Sequence, residues 1–377
     1  MTGVLYELLQ AGLGVRAELS RVLSLEEWSQ VYQEAQRQAV LGVLACGLER
    51  LPKEQQPPKE VLLQWVAPTI RVEQQNAIVF KVCKEVVAQF EKDGFRACVL
   101  KGKANHRYYP ANIQNRRLSG DIDIWVEPDS AASNKSAGVV LDYVRSHHEI
   151  TGLCWLHCNY TEGKGVPIEV HFHPSFMNEP CNNSRFLRHF SSIERCAERV
   201  DIDGVELPVL KVEEDVIYQM NHIYRHLIDE GVGLRQIVDY YFLLRAWNNN
   251  ATRSREETMC IVSKFGMKRF AGALMYVMRE VCGMENEMLL CAPNVRDGRF
   301  LLSEIMTAGN FGHADPRMSS VSGTGLRRQI SRAWRRINRN LRFFTSYPEE
   351  VLWEPITRLW HFAWKKVMVS RWNIKGI

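Results

Sequence analysis

The chain has 377 residues, 46% of them hydrophobic and 24% charged, with a formal net charge of +5. That is globular composition with apolar material for two or three cores, and it excludes a disordered or fibrous chain. The charge is too mild to imply a nucleic-acid partner by itself, although its distribution matters. The start "MTGVLYELLQAGLG" lacks the basic region, apolar core and small-residue cleavage site of a signal peptide. No window approaches the roughly 18 apolar residues of a spanning helix. The ten cysteines are scattered singly through apolar runs. Buried thiols in a reducing cytosol account for them better than a disulfide framework, so a cytoplasmic protein is expected.

Residues 1–70 read as a helical region. "SLEEWSQVYQEAQRQAVLGVLACGLERL" keeps apolar residues at helical spacing behind a Ser24 cap. "PKEQQPP" then breaks the chain. The next helix, "RVEQQNAIVFKVCKEVVAQFEKDG", carries Val72, Ile78, Val79, Val82, Val86 and Phe90 on one face and stops at Asp93-Gly94. "FRACVL" is a short strand that runs into "KGKANHRYY", the opening of a further helix. "DIDIWV" is the second strand. "DSAASNKSAGVVLDYVRSHH" reads as a helix capped by Asp129 or Ser130. "LCWLHCNYT" and "VPIEVHF" alternate in period two across "EGKG", a hairpin signal. Residues 71–210 thus form an α+β core with a small mixed sheet. After "DGVELPVLKV" the chain reads as helical over 211–377.

The chemistry is concentrated in "RRLSGDIDIWVEP". Strand residues two apart share a face, so Asp121 and Asp123 stand side by side while Ile122, Ile124 and Val126 face the core. Two adjacent carboxylates repel, and a hard divalent cation between them removes the conflict. In "PIEVHF", Glu169 faces opposite to Ile168 and Val170. With its strand beside "DIDIWV", Glu169 completes a three-carboxylate cluster suited to phosphoryl chemistry. In "LKGKANH", Gly102 permits close backbone approach at a strand-to-helix junction that favours phosphate. Arg116 and Arg117 offer phosphate contacts, and Ser119-Gly120 gives a tight turn into the strand.

These residues carry a resemblance. "LKGK", "RRLSGDIDIWV" and "IEVHFH", in this order, resemble the nucleotidyltransferase superfamily of the DNA polymerase β type, and within it a poorly characterised bacterial nucleotidyltransferase family. The resemblance spans about residues 71–250, where "GVGLRQIVDYYFLL" also fits. It implies that Asp121, Asp123 and Glu169 are catalytic and bind Mg²⁺ or Mn²⁺. It implies that Lys101, Gly102, Lys103, Arg116, Arg117, Ser119 and Gly120 surround an NTP, and that a nucleotide passes to a hydroxyl-bearing acceptor of unknown identity. Two departures stand out. Lys101-Gly102-Lys103 replaces the usual Gly-Ser turn, and the spacer from Gly102 to Asp121 is long. A non-catalytic nucleotide-binding or regulatory protein on the same fold is one alternative, and a nucleic-acid or membrane-surface interaction protein is another.

His171 shares the face of Glu169 and reads equally as an outer partner of the metal site or an ordinary strand histidine. Arg235 and Asp239 read as a helix ion pair at i, i+4 spacing, with Arg235 a second candidate for the cleft. His222 and His226 also stand i, i+4, without further ligands in sequence. "CWLHC" places Cys154, His157 and Cys158 close together without a second ligand pair at zinc spacing. "GLRRQISRAWRRINRNLRFF" has seven arginines and no acid. It reads as an amphipathic helix over 326–342 with a buried apolar stripe and a basic surface, open to nucleic acid or an anionic surface. The tail "LWHFAWKKVMVSRW" reads as a final core helix.

Overall fold

A computed structural model describes residues 2–129, 136–313, 315–318 and 326–372. The chain divides into two compact units. One gathers Met1–Glu73, Tyr109–Leu118 and His222–Leu352; the other gathers Gln74–Tyr108, Ser119–Asn221 and Trp353–Ile377.

The first unit is helical. Ser24 caps the Leu25–Arg37 helix, and Glu27 answers the Ser24 backbone to complete a capping box. The run read as one helix from Ser24 is two, because Ala39 adopts a positive φ of 55° before Leu41–Arg50 begins. Leu41–Arg50 lies tight against Thr2–Leu13; a Cβ on Gly47 would stand 2.5 Å from the Leu8 carbonyl oxygen. The Leu234–Asn250 helix is buried over Leu234–Leu244 on every side, as the centre of a helical bundle requires. The helix read as starting near Val72 begins at Lys59 and runs unbroken to Lys92. Pro68 lies inside it, and Thr69 Oγ1 donates to the Trp65 carbonyl there, 2.8 Å away.

The second unit is built on a seven-stranded mixed sheet. Its strands are β1 (Phe95–Val99), β2 (Ile122–Pro128), β3 (Gly152–Leu153), β4 (His157–Glu162), β5 (Val166–His171), β6 (Ala197–Ile202) and β7 (Val205–Leu210). Their order is β3-β4-β5-β2-β1-β7-β6. β2 runs antiparallel to β1 and parallel to β5, which places the strands "FRACVL", "DIDIWV" and "VPIEVHF" in one sheet. Ile122, Ile124, Val126, Ile168 and Val170 bury one face against Val79, Val82, Val86 and Phe90 of the long helix and Val140, Leu141 and Val144 of the Ser136–His147 helix. Period-two alternation therefore leaves Asp123 and Glu169 on the other face. The cap of the Ser136–His147 helix lies outside the described residues where it was assigned to Ser130; Asp129 pairs with Arg96 at 2.8 Å.

Three local features differ from the sequence reading. "LCWLHCNYT" is no single strand: it doubles back on itself, so that Gly152 pairs with Asn159. "VDIDGVELPV" is a hairpin, β6 to β7, whose turn residues Asp203 and Gly204 both have positive φ. That backbone matches the twist of flanking strands, and Asp-Gly between alternating apolar residues was the available signal. The segment after Gly102 is a short 3₁₀ helix, Gly102–Tyr108.

Candidate functional site

β2 and β5 are in parallel register, with Asp123 opposite Glu169 and Trp125 opposite His171. Neighbouring residues in register share a face, so the sheet itself brings a carboxylate of each strand together. His171, two residues beyond Glu169, completes the group. Its Nε2 lies 3.1 Å from Asp123 Oδ1 and 3.6 Å from Glu169 Oε2. One ligand atom from each of Asp123, Glu169 and His171 lies within 4.8 Å of the others, and this is the group able to hold an ion among the described residues. The two carboxylates fit Mg²⁺ or Mn²⁺, which prefer oxygen ligands, bind through few protein ligands and leave positions for water and phosphate, with His171 hydrogen-bonded beside them. The buried Asp123 Oδ2 faces the Lys101 ammonium rather than a neutral donor.

Asp121 lies just before β2 and is linked to Asp123 by a cation the chain supplies. Lys101, at the end of β1, places Nζ 3.1 Å from Asp123 Oδ2 and 3.6 Å from Asp121 Oδ2. Burial works against the ammonium, but Asp121, Asp123 and Glu169 together hold its pKa above the usual lysine range. The carboxylates are therefore compensated without a metal. For Glu169 the direction is downward. Burial pushes it up, but the hydrogen bond with His171 and the charges of His157 and Lys101 outweigh that. His171 shows the complement: burial lowers its pKa, and Asp123 and Glu169 raise it further.

β4 adds Asn159, which the sequence reading left out, and His157, which it weighed only within "CWLHC". Asn159 Nδ2 donates to Glu169 Oε1 at 3.4 Å, and His157 Nε2 lies 3.9 Å from Glu169 Oε2. Between them, His157 Nδ1 lies 2.6 Å from Asn159 Oδ1. The turn was the available signal. Once Glu162 pairs with Val166, Asn159 must stand opposite Glu169, and His157 opposite His171.

The remaining expected residues are placed as follows. Gly102 has φ of 67°, and a Cβ there would meet the Asp121 carbonyl oxygen at 3.3 Å, so glycine lets the end of β1 pass the start of β2. Lys103 is buried, with Nζ 2.6 Å from Asp203 Oδ2 and 3.1 Å from His106 Nδ1. Ser119 is buried, its N–H donating to Asn76 Oδ1 at 3.2 Å. Gly120 is exposed with open space around it. Arg116, Arg117 and Arg235 belong to the helical unit. Arg116 pairs with Glu49 at 2.8 Å and Glu73 at 3.0 Å. Arg117 grips both oxygens of the buried Asp239 at 2.6 Å each, and Tyr109 donates to the same carboxylate at 2.6 Å. Asp239, read as the partner of Arg235, is thus held first by Arg117; Arg235 donates to the Leu118 carbonyl at 3.0 Å and adds its charge near Asp239. The long spacer from Gly102 to Asp121 has a structural counterpart, since Tyr109–Leu118 belongs to the helical unit.

A concavity of about 900 Å³ in the sheet unit takes in Trp125 and Glu127, the next residues on the face of Asp123, together with Arg96, His173 and Arg188. Asp121, Asp123 and Glu169 are not part of its wall.

The sequence profile of a family described as "Uncharacterised nucleotidyltransferase" matches residues 24–283. No curated protein matches the chain. Among solved structures, an antigenic nucleotidyltransferase-like protein from Paracoccidioides brasiliensis is 13% identical. The alignment covers 50% of this chain and 87% of that one, with a TM-score of 0.31, a likeness too low to support any inference.

Proposed function

The chain belongs to the uncharacterised nucleotidyltransferase family, and from that premise we propose that it is a divalent-metal-dependent enzyme moving a nucleotide from an NTP to a hydroxyl-bearing acceptor. The observation that carries this reading is the pairing of Asp123 with Glu169 across parallel strands, with His171 closing the group. Asp123 and Glu169 would hold Mg²⁺ or Mn²⁺, with Asp121 and His171 beside them. The ion would supply charge neutralisation for the triphosphate. The chain's own residues supply the positioning. His171 fixes Asp123 through Oδ1, and Asn159 with His157 orients Glu169. Glu169, kept ionised, is suited to accept the hydrogen bond of an acceptor hydroxyl, aim its oxygen at the α-phosphorus and take its proton on the way to solvent, as the bond to the leaving pyrophosphate breaks. Lys101 is suited to meet a phosphate oxygen once a metal ion competes for its two aspartates.

One observation favours a second reading, a nucleotide-binding protein without transfer activity. The Lys101 ammonium already neutralises the aspartate pair, as it would in a protein that has no need of a metal. Incubation with each α-labelled NTP, Mg²⁺ or Mn²⁺, and cell extract separates the two. Label fixed on an acceptor, lost with Asp123→Asn, supports transfer. NTP binding at equal strength with and without metal, and with no label transferred, supports the second reading and ends the first.

A further inference from the structure

The Leu326–Phe344 helix lies the opposite way round from the expectation of a buried apolar stripe. Trp334, Ile337, Leu341 and Phe344, at i, i+3, i+7 and i+10, are 62, 50, 64 and 45% exposed. They form one outward stripe. The opposite side faces the helical unit. Arg339 is buried there, and its guanidinium donates to the carbonyls of Leu227 and Glu230 at 2.6 and 3.0 Å, at the end of the Val212–Asp229 helix. That is where a helix dipole favours a cation. Arg342 reaches Glu304 at 3.6 Å, and Phe343 is fully buried against Phe300. Arginine thus docks this helix on its own protein, and apolar side chains are left outside.

We propose that this helix is an interfacial anchor that lays its Trp334–Ile337–Leu341–Phe344 stripe into the surface of an anionic phospholipid bilayer. The stripe is apolar, so a nucleic-acid backbone has little to contact along it. The helix carries seven arginines and no acid between 326 and 344. Two copies packed stripe to stripe would bring like charges together, which disfavours a self-association role. Anionic headgroups suit a helix of this charge, on which Arg336 has an exposed side chain. Trp334 on the stripe suits the interface, where indole rings concentrate. Among the described residues no helix is long and apolar enough to cross a membrane, so the contact is with the surface.

The test is co-sedimentation of the full chain with vesicles of equal parts phosphatidylcholine and phosphatidylglycerol, and with phosphatidylcholine alone. Ile337→Asp combined with Leu341→Asp alters two exposed positions and should leave the melting temperature unchanged; Leu341→Ser serves as a milder second variant. The expected result is binding to anionic vesicles, weaker on neutral ones, and reduced about tenfold or more by the double substitution. Four results overturn the proposal. These are no sedimentation of the wild type with anionic vesicles, equal sedimentation of the folded variants, a solution dimer that the double variant dissolves without any vesicle binding, and salt-sensitive binding of single-stranded RNA without vesicle binding.

Discussion

The Lys101 ammonium lies between the carboxylates of Asp123 and Asp121, 3.1 and 3.6 Å from them. The chain thus holds one positive charge of its own where paired aspartates would otherwise repel. Any metal ion must compete with that charge. Its binding would free the lysine for an accompanying anion.

Lys101→Met should therefore do two opposite things. Without metal it leaves the carboxylates uncompensated, which should cost about 2–3 kcal/mol in urea unfolding. With Mg²⁺ the variant should recover more of its melting temperature than the wild type gains, because the competing cation is gone. Equal Mg²⁺ shifts in both proteins would mean that the lysine and the metal do not share a place.

The two aspartates should differ. Asp123 is 1% exposed and touches both His171 and Lys101, whereas Asp121 is 33% exposed and touches Lys101 at the longer distance. Asp123→Asn should destabilise by about 2–4 kcal/mol, since it strands a buried ammonium and a buried imidazole. Asp121→Asn should cost under about 1 kcal/mol. Both should abolish label transfer. Chemical denaturation of the three proteins measures the contrast.

Gly102→Ala tests the strand junction. A left-handed backbone costs an alanine about 1–2 kcal/mol, and the added Cβ presses on the Asp121 carbonyl. The expected result is a loss of that size in unfolding free energy. A larger proportional loss of transfer should accompany it, because the push falls on the residue beside Asp123.

Acid should weaken the helical unit through Asp239. Burial raises its pKa, but Arg117, by charge and hydrogen bonds, with Arg235 and Tyr109 brings it below the ordinary aspartate value. A depressed carboxyl pKa contributes stability that is fully present above the unfolded value of about 3.9. That contribution is lost as pH falls below this value and through the folded pKa. Asp239→Asn should cost about 3–5 kcal/mol at neutral pH, because the buried Arg117 loses its carboxylate. The difference from the wild type should shrink in melts taken below about pH 4. A gap that stays constant down to acid pH would show that the pair contributes nothing through charge.

Period-two alternation in "DIDIWV" and "PIEVHF" already separated the carboxylates from Ile122, Ile124, Ile168 and Val170, because side-chain direction in a strand is a local property. Ser24 and Glu27 announced their capping box for the same reason. Strand adjacency was a matter for the tertiary structure. Only the parallel register of β2 and β5 turns Asp123 and Glu169 into neighbours, and only the hairpin register adds His157 and Asn159. Lys101 was legible as a residue but not as a cation between two aspartates, since that depends on where β1 ends beside β2. The Leu326–Phe344 helix shows the limit most plainly. Its amphipathic pattern could be read from the sequence, but pattern does not say which face turns inward. Burial of Arg339 on the carbonyls of Leu227 and Glu230 decided that, since a cation seated on a helix end holds the Arg339 side inward and leaves the apolar stripe outside.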